Sequence, residues 1–206
     1  MMLFRLTYCL FFLSFCSAYS AAEPVVVVEE DRIEAYLLQL EGYFNTLKTF
    51  SADFTQIDRK GEESKGYFLV KRPNRVKLYY QPPAENVFVI KDSKITQYNR
   101  ELKEKNVIPA HSSPLSFLLD PKISLKTNVE VKFIFEDGDV ISALVSPRNK
   151  NTETDGMVFF TFKKSPLTLL GWEIIDGRNN SSVKIVFSNI RTNVRISDDE
   201  FEKLSS

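Results

Sequence analysis

From Phe50 onward the apolar residues recur every second position, and that change of period constrains this chain more than any other feature. Side chains alternate across a strand, so each period-two run is a strand with one face for a core. The runs fall at roughly 50–58, 64–72, 75–81, 86–91, 94–99, 103–108, 129–136, 139–146, 156–163, 168–175 and 182–190. Asp92-Ser93, Asp137-Gly138, Asp155-Gly156, Leu170-Gly171 and Asp176-Gly177 carry the turn chemistry of hairpins. Parallel strands need long crossovers, usually helical, and none is interleaved here. The pattern therefore predicts an antiparallel meander, with no internal repeat.

Two segments keep a helical period. Asp31 and Glu34 have the spacing of a capping pair, and after them Ile33, Leu37, Leu40, Phe44 and Leu47 form one narrow apolar stripe. A second, short helix is expected at Pro114–Leu119, with Ser113 as cap, Pro114 in the first helical position and Asp120-Pro121 as terminator. The run Val25–Val28 reads equally as a short strand or a loose leader. A long sheet with two greasy helices predicts a mainly β (α+β) fold: an open, strongly curved antiparallel half-barrel with a lid of short α-helices.

One residue breaks the pattern. Between Gly66 and Pro83 two strands meet at a very short corner, and Phe68 and Val70 share their face with Arg72. Pro73 cannot donate to a ladder and biases Arg72 towards extended backbone. A guanidinium on an apolar face is costly unless its donors are satisfied. Either Arg72 reaches solvent at the strand end, or it lies in an apolar concavity and bonds to something that can move away.

Residues 1–22 read as a secretory signal, with Arg5 as the positive start, Leu6–Cys16 as the apolar stretch, and cleavage near Ser20 or Ala22. The remainder, 23–206, has the length of one domain. Both cysteines lie in the signal, so the mature chain uses neither disulfides nor thiolates. Leu13-Ser14-Phe15-Cys16 loosely mimics a lipid-attachment box, but Phe15 is too bulky for it. Cleavage leaves 26 basic against 27 acidic residues, a net charge of −1 that points to no nucleic acid. The single histidine, His111, reads as a surface residue, and Asp198-Asp199-Glu200 as a solvated run or the cap of a last turn. No nucleophile elbow or metal-ligand spacing is present, so neither enzyme activity nor a cofactor is expected.

Val70-Lys71-Arg72-Pro73-Asn74, followed by Gln81-Pro82, resembles the signature of the periplasmic carriers of outer-membrane lipoproteins, the LolA family. Phe50-Ser51-Ala52-Asp53-Phe54-Thr55-Gln56 is similar to that family's first-strand motif, and Lys91–Lys94, Tyr98-Asn99, Ser113-Pro114 and Leu118-Leu119 follow in its order. The resemblance is specific between Phe50 and Leu119 and weak in the last third. It implies the same half-barrel and a cavity for the acyl chains of lipoproteins. On the sheet, Phe50, Phe54, Phe68, Val70, Leu78 and Tyr80 are the expected lining. Leu40 and Phe44 would face it from the first helix, and Leu115, Leu118 and Leu119 from the second.

Arg72 would latch the lid by bonding helix backbone near Leu118–Asp120, since C-terminal helix carbonyls are unpaired and lie at the negative dipole end. The implied partners are acylated lipoproteins, an inner-membrane ABC-type extractor and an outer-membrane receptor lipoprotein, met by a monomeric carrier. The chain departs from the family in lacking an apolar Pro/Gly-containing extension after Phe201 and in the placing of its rim cations. Two other classes stay open: an envelope sensor binding lipid or lipoprotein on the same half-barrel, and a membrane-anchored receptor, which would require acylation at Cys16.

Overall fold

A computed structural model describes residues 26–113, 115–148, 156–176 and 181–204. The expected signal segment with Cys16, and Pro114, Asp155 and Gly177 of the expected caps and turns, lie outside them. The first half carries β1 (Val26–Val27), helix α1 (Glu30–Thr46), β2 (Thr49–Asp58), β3 (Glu63–Lys71), β4 (Arg75–Tyr80), β5 (Asn86–Lys91), β6 (Lys94–Asn99) and β7 (Glu104–Pro109). The second carries a helical turn α2 (Leu125–Asn128), β8 (Val129–Asp137), β9 (Val140–Pro147), β10 (Met157–Lys163), β11 (Thr168–Asp176) and β12 (Ser181–Thr192). All twelve strands make one antiparallel sheet in the order β1-β8-β9-β10-β11-β12-β2-β3-β4-β5-β6-β7. Two meanders are thus fused where β12 pairs with β2, and the outer edges β1 and β7 do not pair, leaving an open half-barrel.

Local chemistry explains the joints. Asp92 and Ser93 both take positive φ, as a two-residue hairpin turn requires, and Gly138 does the same after Asp137. Register breaks at Val131/Phe133, Thr161/Phe162 and Ser188/Arg191 are bulges that bend their strands. Leu170-Gly171, in contrast, is not a turn. Gly171 lies inside β11, where a Cβ would come within 2.2 Å of the Ile185 carbonyl oxygen of β12. The glycine serves close strand approach, and the hairpin from β10 lies upstream, at residues 164–167.

Three helical expectations also change. Helix α1 begins at Glu30, one residue before Asp31, and Glu29 at its cap makes no side-chain bond. The pairing of β1 with β8, and Val28 N–H donating to the Ile134 carbonyl, already fix the chain at the helix start. The expected second α-helix is instead a short 3-10 helix, Ser116–Leu119, after another at Ala110–Ser112. Four residues before a terminating proline do not allow a regular α-helical turn to propagate. A further helical turn, α2, follows it unannounced by any apolar period.

Helix α1 lies across the inner face of the sheet, with Phe44 edge-on to Phe160 and Phe162 of β10. At its other end Glu136 of β8 accepts from Tyr36, from Arg32 at 2.8 Å and from Lys164 at 3.0 Å. Those bonds, Tyr36 first and Lys164 next, hold the Glu136 carboxyl below its ordinary pKa. A depressed carboxyl stabilises the fold above its unfolded pKa of about 4.3 and loses that contribution as pH falls through the folded value. Melting temperature followed from pH 7 to pH 3 is therefore expected to drop in the acid range, and Glu136→Gln to flatten that part of the curve while lowering the neutral-pH value.

The outer face is covered only in part. Residues after β12 cross β3–β5 and seal Val87 and Val89 beneath Ile196 and Phe201. Asp198 pairs with Arg75 and, at 2.6 Å, with Lys71; Glu202 pairs with Lys91; and buried Lys77 donates to the Glu200 carbonyl at 3.0 Å. The acidic run thus forms the last short turn, Asp198–Phe201, within a strap over the sheet, with Asp198 and Asp199 exposed and Asp198 ion-paired.

Candidate functional site

The inner face is not filled. Between the sheet, the end of α1 and the 3-10 helix lies a cavity of about 380 Å³, within the ~300–1,000 Å³ range of ligand pockets. Its walls are almost wholly apolar, and many of the side chains that form them, such as Val70, Leu78, Phe88 and Ile90, are only partly buried. That is the signature of a lined hollow: each side chain packs against the core behind it and leaves apolar surface facing the space. A close-packed interior would bury them.

Most residues expected from the sequence meet there. Phe44, Phe50, Phe68, Val70, Leu78 and Tyr80 line the cavity, as do Leu115, Leu118 and Leu119. Leu40 and Phe54 do not. Both are 2 % exposed and packed into the core beside the cavity, Phe54 edge-on to Tyr80 at 5.0 Å. Leu40 shares a helix face with Phe44 but lies one turn earlier along the axis, short of the hollow, while Phe54 fills the space left by Gly66 of β3. His111 is exposed, as expected.

Sequence reasoning missed half the wall. Leu47, Gln56, Val76, Ile95, Leu169 and Trp172 also line the cavity. So do Phe88, Ile90, Ile174, Val183 and Ile185. The signal for the last group was the inward half of β5, β11 and β12. On β12 the cross-strand partners fix it, since Ile185 stands opposite both Trp172 and Gln56.

Arg72 sits at the lid end, half-buried, just beyond β3. Its backbone N–H donates to the Lys48 carbonyl. Its guanidinium donates to three backbone carbonyls: Phe44 at 3.1 Å, Asp120 at 2.6 Å and Pro121 at 3.2 Å. Phe44 is in the last turn of α1, and Asp120 directly follows the 3-10 helix, so one side chain satisfies carbonyls that both helix ends leave unpaired. Burial pulls the guanidinium pKa down, and the nearby Asp120 carboxylate opposes this. Behind the latch, Asn45 holds the lid segment by two bonds to Ile123, Nδ2 donating to the carbonyl at 2.7 Å and Oδ1 accepting from N–H at 2.9 Å. The Leu125 N–H donates to Glu41 at 2.8 Å.

An apolar wall of this kind suits a flexible hydrocarbon. At one end a cation bonds main-chain oxygens of both helical elements that border it.

Comparison with known proteins agrees with the geometry. Residues 45–203 match the family model of the outer membrane lipoprotein carrier protein LolA. An outer-membrane lipoprotein carrier protein of Methylibium petroleiphilum is 28% identical over 172 residues, 79% of this chain and 81% of the relative. One from Methylococcus capsulatus is 24% identical, with 80% and 81% covered. Among solved structures, a DUF1329 family protein from Desulfovibrio piger superposes with a TM-score of 0.52 at 13% identity, covering 81% of this chain and 94% of that one, a likeness of fold alone.

Proposed function

This chain belongs to the LolA family of outer membrane lipoprotein carriers, and we propose that it is itself a periplasmic carrier that shields lipoprotein acyl chains between the two membranes. The observation that carries the reading is the apolar cavity closed by Arg72 on the carbonyls of Phe44 and Asp120. Burial of one CH₂ is worth about 0.8 kcal/mol, so a long acyl chain in water costs on the order of 10 kcal/mol. A carrier must offset most of that and still let go. An apolar wall does the first. A guanidinium that regains its carbonyl partners when the cavity empties does the second.

In this reading the signal over 1–22 is removed on export and 23–206 act as one domain. The cargo arrives from an inner-membrane ABC-type extractor and leaves to an outer-membrane receptor lipoprotein. The family match and the carriers among the relatives support that route.

The test is native purification of the protein from the periplasm, extraction of whatever is bound, and its identification by mass spectrometry. Bound lipoprotein, and transfer of a diacylated lipopeptide from the purified protein to acceptor vesicles, are the expected outcomes. Binding without transfer favours the sensor class. An empty protein that takes up no lipopeptide would sink the carrier reading.

A further inference from the structure

A wall meant for hydrocarbon alone has no use for a hydrogen-bond donor, yet Gln56 of β2 lines this cavity. It stands six residues along the strand from Phe50, roughly 20 Å of extended chain away from the latch end. The Tyr80 hydroxyl donates to Gln56 Oε1 at 2.5 Å. Tyr80 is buried, and burial pushes its pKa up to about 12, so it stays protonated and keeps donating. That bond orients the amide. With its oxygen taken by Tyr80, the amide keeps Nε2 to donate, and Tyr80 is the only side-chain partner of Gln56 among the described residues.

Two serines of the wall, Ser113 and Ser116, belong to the 3-10 segments and not to the sheet, and the remaining polar groups are engaged or shut in. Ser113 Oγ accepts from the Leu115 N–H, and Arg72 is engaged with the lid. Trp172 Nε1 has no partner but is enclosed, its ring packed edge-on to Phe68 and Phe187. Gln56 is only partly buried, so its Nε2 is the amide donor that the sheet wall offers.

We propose that Gln56, held by Tyr80, donates to the carbonyl oxygen of an acyl ester on the bound ligand, so that the cavity selects ester-linked chains over ether-linked or bare hydrocarbon. This rests on the carrier reading and names the chemistry it recognises. An ester carbonyl is a moderate acceptor that costs little to desolvate, whereas an ether oxygen is a weaker one set one atom differently. An unmet amide donor beside an ether-linked chain keeps its desolvation cost.

The test compares equilibrium binding of a dipalmitoyl-glyceryl lipopeptide, its dialkyl-ether counterpart, and dipalmitoyl phosphatidylglycerol to the full chain purified from the cell envelope. One net hydrogen bond predicts a preference for ester over ether of roughly threefold to tenfold. Gln56→Met with Tyr80→Phe, which leaves no hydroxyl stranded, is expected to erase the preference, bringing the ester-to-ether affinity ratio to about one. A preference shared by the phospholipid assigns the contact to acyl esters at large; one confined to the lipopeptide assigns it to the lipoprotein anchor. Equal affinity for both linkages in the wild-type protein, or a preference that survives in the double variant, overturns the assignment and leaves the carrier reading standing. Failure to bind either lipopeptide overturns both.

Discussion

Arg72→Leu is expected to bind lipopeptide about tenfold more tightly than the wild-type protein and to hand it over correspondingly more slowly. The cation bridges two separate elements, with Nη1 on the Phe44 carbonyl and Nη2 on those of Asp120 and Pro121. On the carrier reading these bonds belong to the empty, closed form and break when the lid parts, so they lower affinity by whatever they are worth. Charged hydrogen bonds contribute about 1.5–3 kcal/mol each when well shielded. Arg72 is only half-buried, and water takes over its carbonyls on opening, so a net of about 1.4 kcal/mol, a factor of ten, is the reasonable figure.

Leucine also removes the one charge from the wall and adds apolar contact to the loaded state. Arg72→Lys separates the two effects: it keeps the charge but has no planar fork to span two elements, and should fall between. Lipopeptide titration and transfer to acceptor vesicles read both halves of the expectation. Unchanged transfer by Arg72→Leu would remove the latch from the mechanism.

The sheet was legible because turn and period agreed. Runs such as 86–91 and 94–99 flank Asp92-Ser93, whose positive φ values are what a tight hairpin needs, and the expected strands are the observed ones to within one or two residues. The lining was legible only where one face was plainly apolar. On β5 both faces are: Val87 and Val89 point outward beneath Phe201, and Phe88 and Ile90 point into the cavity. Alternation cannot choose between two greasy faces, and the second was greasy because residues after β12 return to cover it.

The strap itself is set by long-range burial of Ile196 and Phe201 on Val87 and Val89, with exposed pairs from Asp198 and Glu202 to Lys71, Arg75 and Lys91 beside it, and no local pattern encodes either. Arg72 was visible as a misplaced cation beside Val70. Its second anchor at Phe44 was not, since a carbonyl at a helix end carries no mark in the sequence.

Gly66→Ala is expected to cost about 3 kcal/mol or more, lowering the melting temperature by roughly 10 °C in a chain of this size, or to leave no soluble protein. Added at Gly66, a Cβ would stand 2.1 Å from the Tyr79 carbonyl oxygen and 2.8 Å from two ring carbons of Phe54. The first obstacle is backbone of the neighbouring strand. The second cannot retreat, because Phe54 is 2 % exposed and lies against the Tyr80 ring. Overpacking of this kind forces strands apart, and here it displaces Tyr80 and with it the hydroxyl that orients Gln56. Lost stability should therefore come with loss of the ester preference at temperatures where the variant stays folded.

Gly42→Ala is the matched control. Gly42 is exposed inside α1 with nothing within 4 Å of the added carbon, so the same methyl should stabilise by up to about 1 kcal/mol. If the two variants melted alike, close approach of β3 and β4 would not be what Gly66 provides, and the packing that seats Phe54 beside the cavity instead of in it would need another cause.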